Sequence, residues 1–170
     1  VLVIEAACPP SVGDLRLGCA YQLTDGATSI VQSAPADSTQ PVATAPANST
    51  QPIIALRRGQ HERLTIDLRQ TRRIARLVLY AFSESNATLN WGGTLVTTTA
   101  GGARVDVPLD RPPSDQVLVM QSMYNVRGEF VIRAELEELP GGVRGAVTAY
   151  GFDQITWLDQ RTPWPRNAPH

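Results

Sequence analysis

Apolar and polar residues alternate along much of this chain with the period of two that marks half-buried strands. Over Leu15–Leu23, the residues Leu15, Leu17, Cys19, Tyr21 and Leu23 share one face. Over 63–68, Leu64, Ile66 and Leu68 oppose Arg63, Thr65 and Asp67. Residues 1–7 form a short, dense apolar run, and 74–82 is the strongest buried strand of the chain. Further strands are predicted at Thr28–Gln32, Thr94–Thr99, 104–109, 116–124 and 129–136. Turn formers separate them: 8–14 with its two prolines, Thr24-Asp25-Gly26, Gly101-Gly102, and Asn125 to Gly128. Residues 140–150 predict one short helix, with Gly151 as its stop. About nine short strands at regular spacing predict an all-β fold, a two-sheet antiparallel β-sandwich with a short C-terminal helix. The chain lacks both a G-x-G-x-x-G after a strand and a regular strand–helix alternation, which argues against a dinucleotide-binding fold.

The segment 33–53 breaks this rhythm. It is rich in Ala, Pro, Ser, Thr and Gln, and the string from Ala34 to Val42 recurs eleven residues later from Ala45 to Ile53. Proline cannot donate to a sheet ladder, so the segment reads as a surface loop, an extended excursion or an irregular edge. The residues before it are too few to fold alone. The expected organisation is one domain over 1–152, with that loop inside it, and a tail over 153–170 carrying Trp157 and Trp164.

Composition narrows the function. The chain has 170 residues, 42% hydrophobic and 18% charged, with net charge −1. That balance speaks against a nucleic-acid partner. No apolar run reaches the length of a membrane helix, and the first residues lack the basic flank of a signal peptide, so the expected location is cytoplasmic. Cys8 and Cys19 are expected to be buried free thiols. His61 and the terminal His170 are the two histidines. An enzyme would need His61 as its base, beside Glu62 or Glu84, and no nucleophile elbow accompanies it. The residue types therefore favour a protein that is not an enzyme. Locally, seven arginines fall between Arg57 and Arg76, opposed only by Glu62 and Asp67. Arg57, Arg58, Arg63, Arg72 and Arg73 are the candidates for an anion-binding or acidic-partner surface. A protein–protein module would instead draw on Tyr124, Trp91, Trp157 and Trp164.

Three strings together resemble the tellurium-resistance TerD family of bacterial stress proteins. The first, Gly13-Asp14-Leu15-Arg16-Leu17-Gly18-Cys19-Ala20-Tyr21-Gln22-Leu23, is similar to the family's D-F-D-L-D-A-S-A-F-L-L strand. The second, Gly59-Gln60-His61-Glu62-Arg63-Leu64-Thr65-Ile66-Asp67-Leu68, is similar to G-D-D-E-x-I-x-V-D-L. The third runs from Met123 to Ala134 and is similar to the hairpin L-Y-R-x-x-G-x-W-x-F-R-A. The resemblance implies a TerD-like sandwich that binds calcium and serves in tellurite resistance and stress. The expected partners are other stress-response proteins or the inner membrane surface. Arg16 and Gly18 stand where the family has aspartates, and Gln60-His61 where it has Asp-Asp. Asp14 and Glu62 are the remaining candidate metal ligands. An arginine is hostile to a calcium site. The expectation is thus a scaffold or binding module with degenerate calcium sites and no cofactor. A stress sensor that retains a weak calcium site is the alternative.

Overall fold

The computed structural model describes residues 1–33, 42–46 and 49–163. Among them, eleven strands precede one α-helix. They are β1 (Leu2–Ala7), β2 (Leu15–Leu23), β3 (Thr28–Gln32), β4 (Val42–Ala45), β5 (Ile54–Arg58), β6 (Glu62–Ile66), β7 (Ile74–Ser83), β8 (Thr94–Thr99), β9 (Arg104–Pro108), β10 (Val117–Val126) and β11 (Glu129–Leu139), followed by α1 (Gly142–Ala149). All strand pairs are antiparallel. One sheet has the order β4-β5-β6-β1-β8-β9, and the other β11-β10-β7-β2-β3. The predicted two-sheet antiparallel sandwich with a short C-terminal helix is the fold observed.

Strand β7 shows how the sequence sets the layers. Its alternate residues Leu77, Leu79 and Ala81 enter the core between the sheets. Val78, Tyr80 and Phe82 point the other way and are equally buried. A strand covered on both faces reads as a continuous apolar run. The cover on the outer face is α1, whose Val143, Ala146 and Val147 recur at helical spacing and pack with Phe152 onto Ala20, Val78, Tyr80, Phe82 and Val119. Arg76 fastens this third layer. It donates from Nη1 to the Tyr150 carbonyl (2.7 Å), from Nη2 to the Gly151 carbonyl (2.8 Å) and from Nε to Gln22 Oε1 (2.8 Å). Its guanidinium also stacks 4.0 Å from the Phe152 ring centre.

The 33–53 segment, predicted as a surface loop, an extended excursion or an irregular edge, contributes in its described part to an edge of the first sheet. Val42–Ala45 form the edge strand β4, and Ala45 and Ile53 are buried in the core. Residues 34–41 and 47–48, which hold much of the repeat, lie outside the described residues, as do Trp164 and His170. Strand β5 is also an addition. It is five residues long, follows closely on a proline, and ends in two arginines, so its strand signal is weak. Strand β6 stops at Ile66, two residues short of the predicted end. There Asp67 accepts from the Arg69 amide (3.0 Å) and starts a 3-10 turn over Leu68–Arg73. The predicted turn of the β10–β11 hairpin is present, with Arg127 (φ 55°) and Gly128 (φ 88°) both left-handed. None of the described helices is long and apolar enough to cross a membrane.

Candidate functional site

Alternation along β2 places Asp14, Arg16 and Gly18 on the outer side of the β7-containing sheet, opposite the inward Leu15, Leu17 and Cys19. The resemblance puts acidic ligands at these positions, so their surroundings test the fit of a cation. Asp14 accepts from Ser83 Oγ (2.5 Å) and from the Ser85 amide (2.8 Å), one donor on each carboxylate oxygen. Arg16 donates from Nη2 to Glu84 Oε2 (2.9 Å) and from Nη1 to the Leu15 carbonyl (3.1 Å). Its partner is therefore Glu84, and neither Asp14 nor Glu62. At Gly18 a Cβ would run into the ring of Tyr80, its register partner on β7.

A second guanidinium completes this end of the sheet. Arg161, from the segment after α1, donates to the carbonyls of Glu84 (2.7 Å) and Ser83 (3.0 Å) and to Asn86 Oδ1. Its plane lies over Phe82, 4.9 Å from the ring centre. Asp159 orders the approach by accepting from the backbone amides of Arg161 (2.8 Å) and Thr162 (2.7 Å). The oxygens of the 83–86 turn thus converge on an arginine as they would on a hard cation. This donor set does not fit calcium. Among the described residues, no three His, Cys, Asp or Glu side chains are grouped to hold a metal ion.

Glu62, the other candidate ligand, lies apart from Asp14. It starts β6 and faces inward, with 6% of its surface exposed. Its Oε1 accepts from the Leu17 amide (3.2 Å) and from the Ser33 hydroxyl. Leu17 stands three strand residues, ~10 Å, beyond Asp14. The two carboxylates thus serve different ends of the same stretch of β2.

The hydrogen bonds to Asp14 have a consequence for pH. Partial burial raises its pKa, but the donors of Ser83 and Ser85 outweigh that and hold it below the ordinary carboxylate value. A carboxyl depressed in the folded state stabilises the fold fully above its unfolded pKa of about 4, and the stabilisation is lost as pH falls through the lower, folded value. Asp14→Asn should therefore flatten that part of the acid limb. Urea denaturation of both proteins across the acid range reads the difference directly, with Asp67, also depressed by its Arg69 and Gln70 partners, common to both.

The five candidate arginines do not make one surface. Arg57, Arg58 and Arg63 belong to the β5–β6 hairpin, whereas Arg72 and Arg73 follow the opposite end of β6. Arg73 is occupied with Gln70 (2.9 Å). Arg58 and Glu62 are register partners that point inward at the mouth of the sandwich. They form part of a cleft of about 290 Å³ that also includes His61 and Cys8. His61 is half-buried, and the Glu62 carboxylate beside it is spent on Leu17 and Ser33. Glu84 is engaged with Arg16. The thiols are free: Cys8 is half-buried and Cys19 fully buried. Burial pushes Cys8 up to about 11 and Cys19 up to about 12, so both stay protonated and unreactive at neutral pH. Trp91 is a core residue whose Nε1 donates to Ser114 Oγ (3.3 Å). Trp157 packs half-buried against the α1 layer, and Tyr124 is exposed. Arg161 was not foreseen from the sequence. It lies beyond the stretch of family resemblance, and no motif marks it.

The fold and this site define a β-sandwich with a covering helical layer whose cation-like centre is made of arginines. No protein-family model and no curated protein matches the chain. Among solved structures, the crystal structure of the protein SAV2460, of unknown function, is similar, with 18% identity and a TM-score of 0.50 over 81% of this chain and 88% of that one. The likeness is one of fold.

Proposed function

We propose that the protein is a non-enzymatic, TerD-like binding or scaffold module of a stress response, in which the calcium sites implied by the family have become internal ion-pair and hydrogen-bond sites. The observation that carries this reading is the pair of guanidiniums, Arg16 and Arg161, engaged with the oxygens of residues 83–86. A positive charge fixed in that place repels a divalent cation and meets the same oxygens. Asp14 and Glu62 then serve as acceptors for backbone and serine donors of the fold. Partners of such a module are other stress-response proteins or a membrane surface.

Arg16→Ala tests the reading. Losing the charged hydrogen bond to Glu84 should destabilise the fold by about 1–2 kcal/mol. Calcium titrated calorimetrically into chelator-stripped Arg16→Ala should give no saturable heat. A saturable calcium isotherm in the variant would overturn the reading and favour a calcium sensor instead.

A further inference from the structure

The β5–β6 hairpin carries a cluster of positive charge that the account above leaves unused. Arg57 and Arg63 are register partners on adjacent strands, so two guanidinium side chains leave one face of the sheet directly opposite each other. Like charges so placed repel unless something lies between them. Arg63 has a carboxylate partner, Glu5 on the next strand, at 3.0 Å. Arg57 stands exposed in that cross-strand row between Arg63 and Val42 of β4, neither of which is a carboxylate. Arg58 points to the inner side, and its Nε and Nη2 are buried with no hydrogen-bond partner. That edge of a guanidinium presents two parallel donors, spaced for two oxygens of one oxyanion. A buried donor pair of this kind is costly unless it is met.

These three arginines, with Glu5 and His61, border a cleft of about 330 Å³. The three arginines and Glu5 together carry a net charge of +2 at neutral pH. Glu62, in register with Arg58, is turned inward, its Oε1 held by Leu17 and Ser33 and its Oε2 buried without a partner. Counting it as well leaves +1. The cleft is concave and at the small end of the range for ligand pockets.

We infer that the β5–β6 hairpin binds the phosphate group of a small molecule, with Arg58 and Arg57 as its principal donors and Arg63 completing the charge. Free phosphate and a phosphomonoester share this chemistry. This inference does not rest on the calcium reading, because no residue of the 83–86 turn takes part.

The test titrates the full chain, at fixed ionic strength set with chloride, with inorganic phosphate and separately with glycerol 3-phosphate. Binding is followed by calorimetry and by the Nε–H signals of the arginines in nitrogen-edited NMR. Saturable movement of the Arg57 and Arg58 signals is expected. Tighter binding of glycerol 3-phosphate assigns the ester as ligand, and tighter binding of inorganic phosphate assigns the free ion; either supports the site. Arg57→Gln and Arg58→Gln should each weaken binding about tenfold, with melting curves like that of the parent chain. Arg72→Gln, the same charge change at the far end of β6, should leave it unaltered. No saturable movement with either probe would overturn the proposal. So would an Arg72→Gln variant that loses as much as Arg58→Gln, since that pattern means diffuse screening. So, too, would binding of anionic phospholipid vesicles that depends on Arg57 while both small phosphates fail.

Discussion

Gly18→Asp should unfold the protein or come close to it. The substitution introduces the acidic residue that the resemblance places at this point of β2, so it asks whether such a ligand can be accommodated here. It cannot without moving Tyr80. Gly18 and Tyr80 face each other across β2 and β7, both are buried, and the added Cβ would enter the ring. Overpacking of this kind costs about 1–3 kcal/mol. Desolvating a carboxylate in the same buried layer raises the cost to about 4 kcal/mol or more, a large share of the ~5–15 kcal/mol that keeps a domain folded. Gly18→Ala should show the steric part alone. Urea denaturation measures both. A Gly18→Asp protein as stable as its parent would mean that Tyr80 yields easily and that packing does not exclude an acidic residue here.

Phe152→Ala should cost about 3–5 kcal/mol, the range for emptying a buried aromatic site. Phe152 is fully buried between α1 and the sheet, and the Arg76 guanidinium lies against its ring. Removing the ring opens a cavity and takes away one of the two contacts that Arg76 uses to hold the end of α1. The other, its hydrogen bonds to the Tyr150 and Gly151 carbonyls, places a cation at a helix C-terminus. The expected signature is a lower urea midpoint with an unchanged slope, because the whole sandwich still unfolds in one step. A loss below about 1 kcal/mol would show that the outer layer adds little to the stability of the sheets.

Most of the fold was legible because β strands advertise themselves by alternation. Strands β2 and β7 could be read almost to their ends, and the Asn125 to Gly128 turn carried its own chemistry in a left-handed pair. Strand β5 was not legible, because three apolar positions beside a proline and two arginines fit a loop as well as a strand. The site was half legible. Arg16 and Gly18 stood out in the sequence as departures from the acidic strand of the family that the chain resembles. Their actual partners, Glu84 and Tyr80, are 68 and 62 residues away in sequence, and only the pairing of β2 with β7 brings them together. Arg161 had no local signal at all. Its role depends on the path of the chain after α1, which side-chain periodicity does not encode. The arginine-rich stretch misled in one respect: nearness in sequence placed Arg57 and Arg72 on one surface, and the length of β6 separates them.

The central claim is that Arg16, Arg161 and their hydrogen-bonded oxygens stand in place of calcium. A ligand bound only by the folded state must raise the melting temperature, by an amount that grows with the logarithm of its concentration. The most direct measurement is therefore the melting temperature of the chelator-stripped chain, with and without millimolar calcium. The account predicts the same melting temperature in both. A rise that continues to grow as calcium is increased would contradict it.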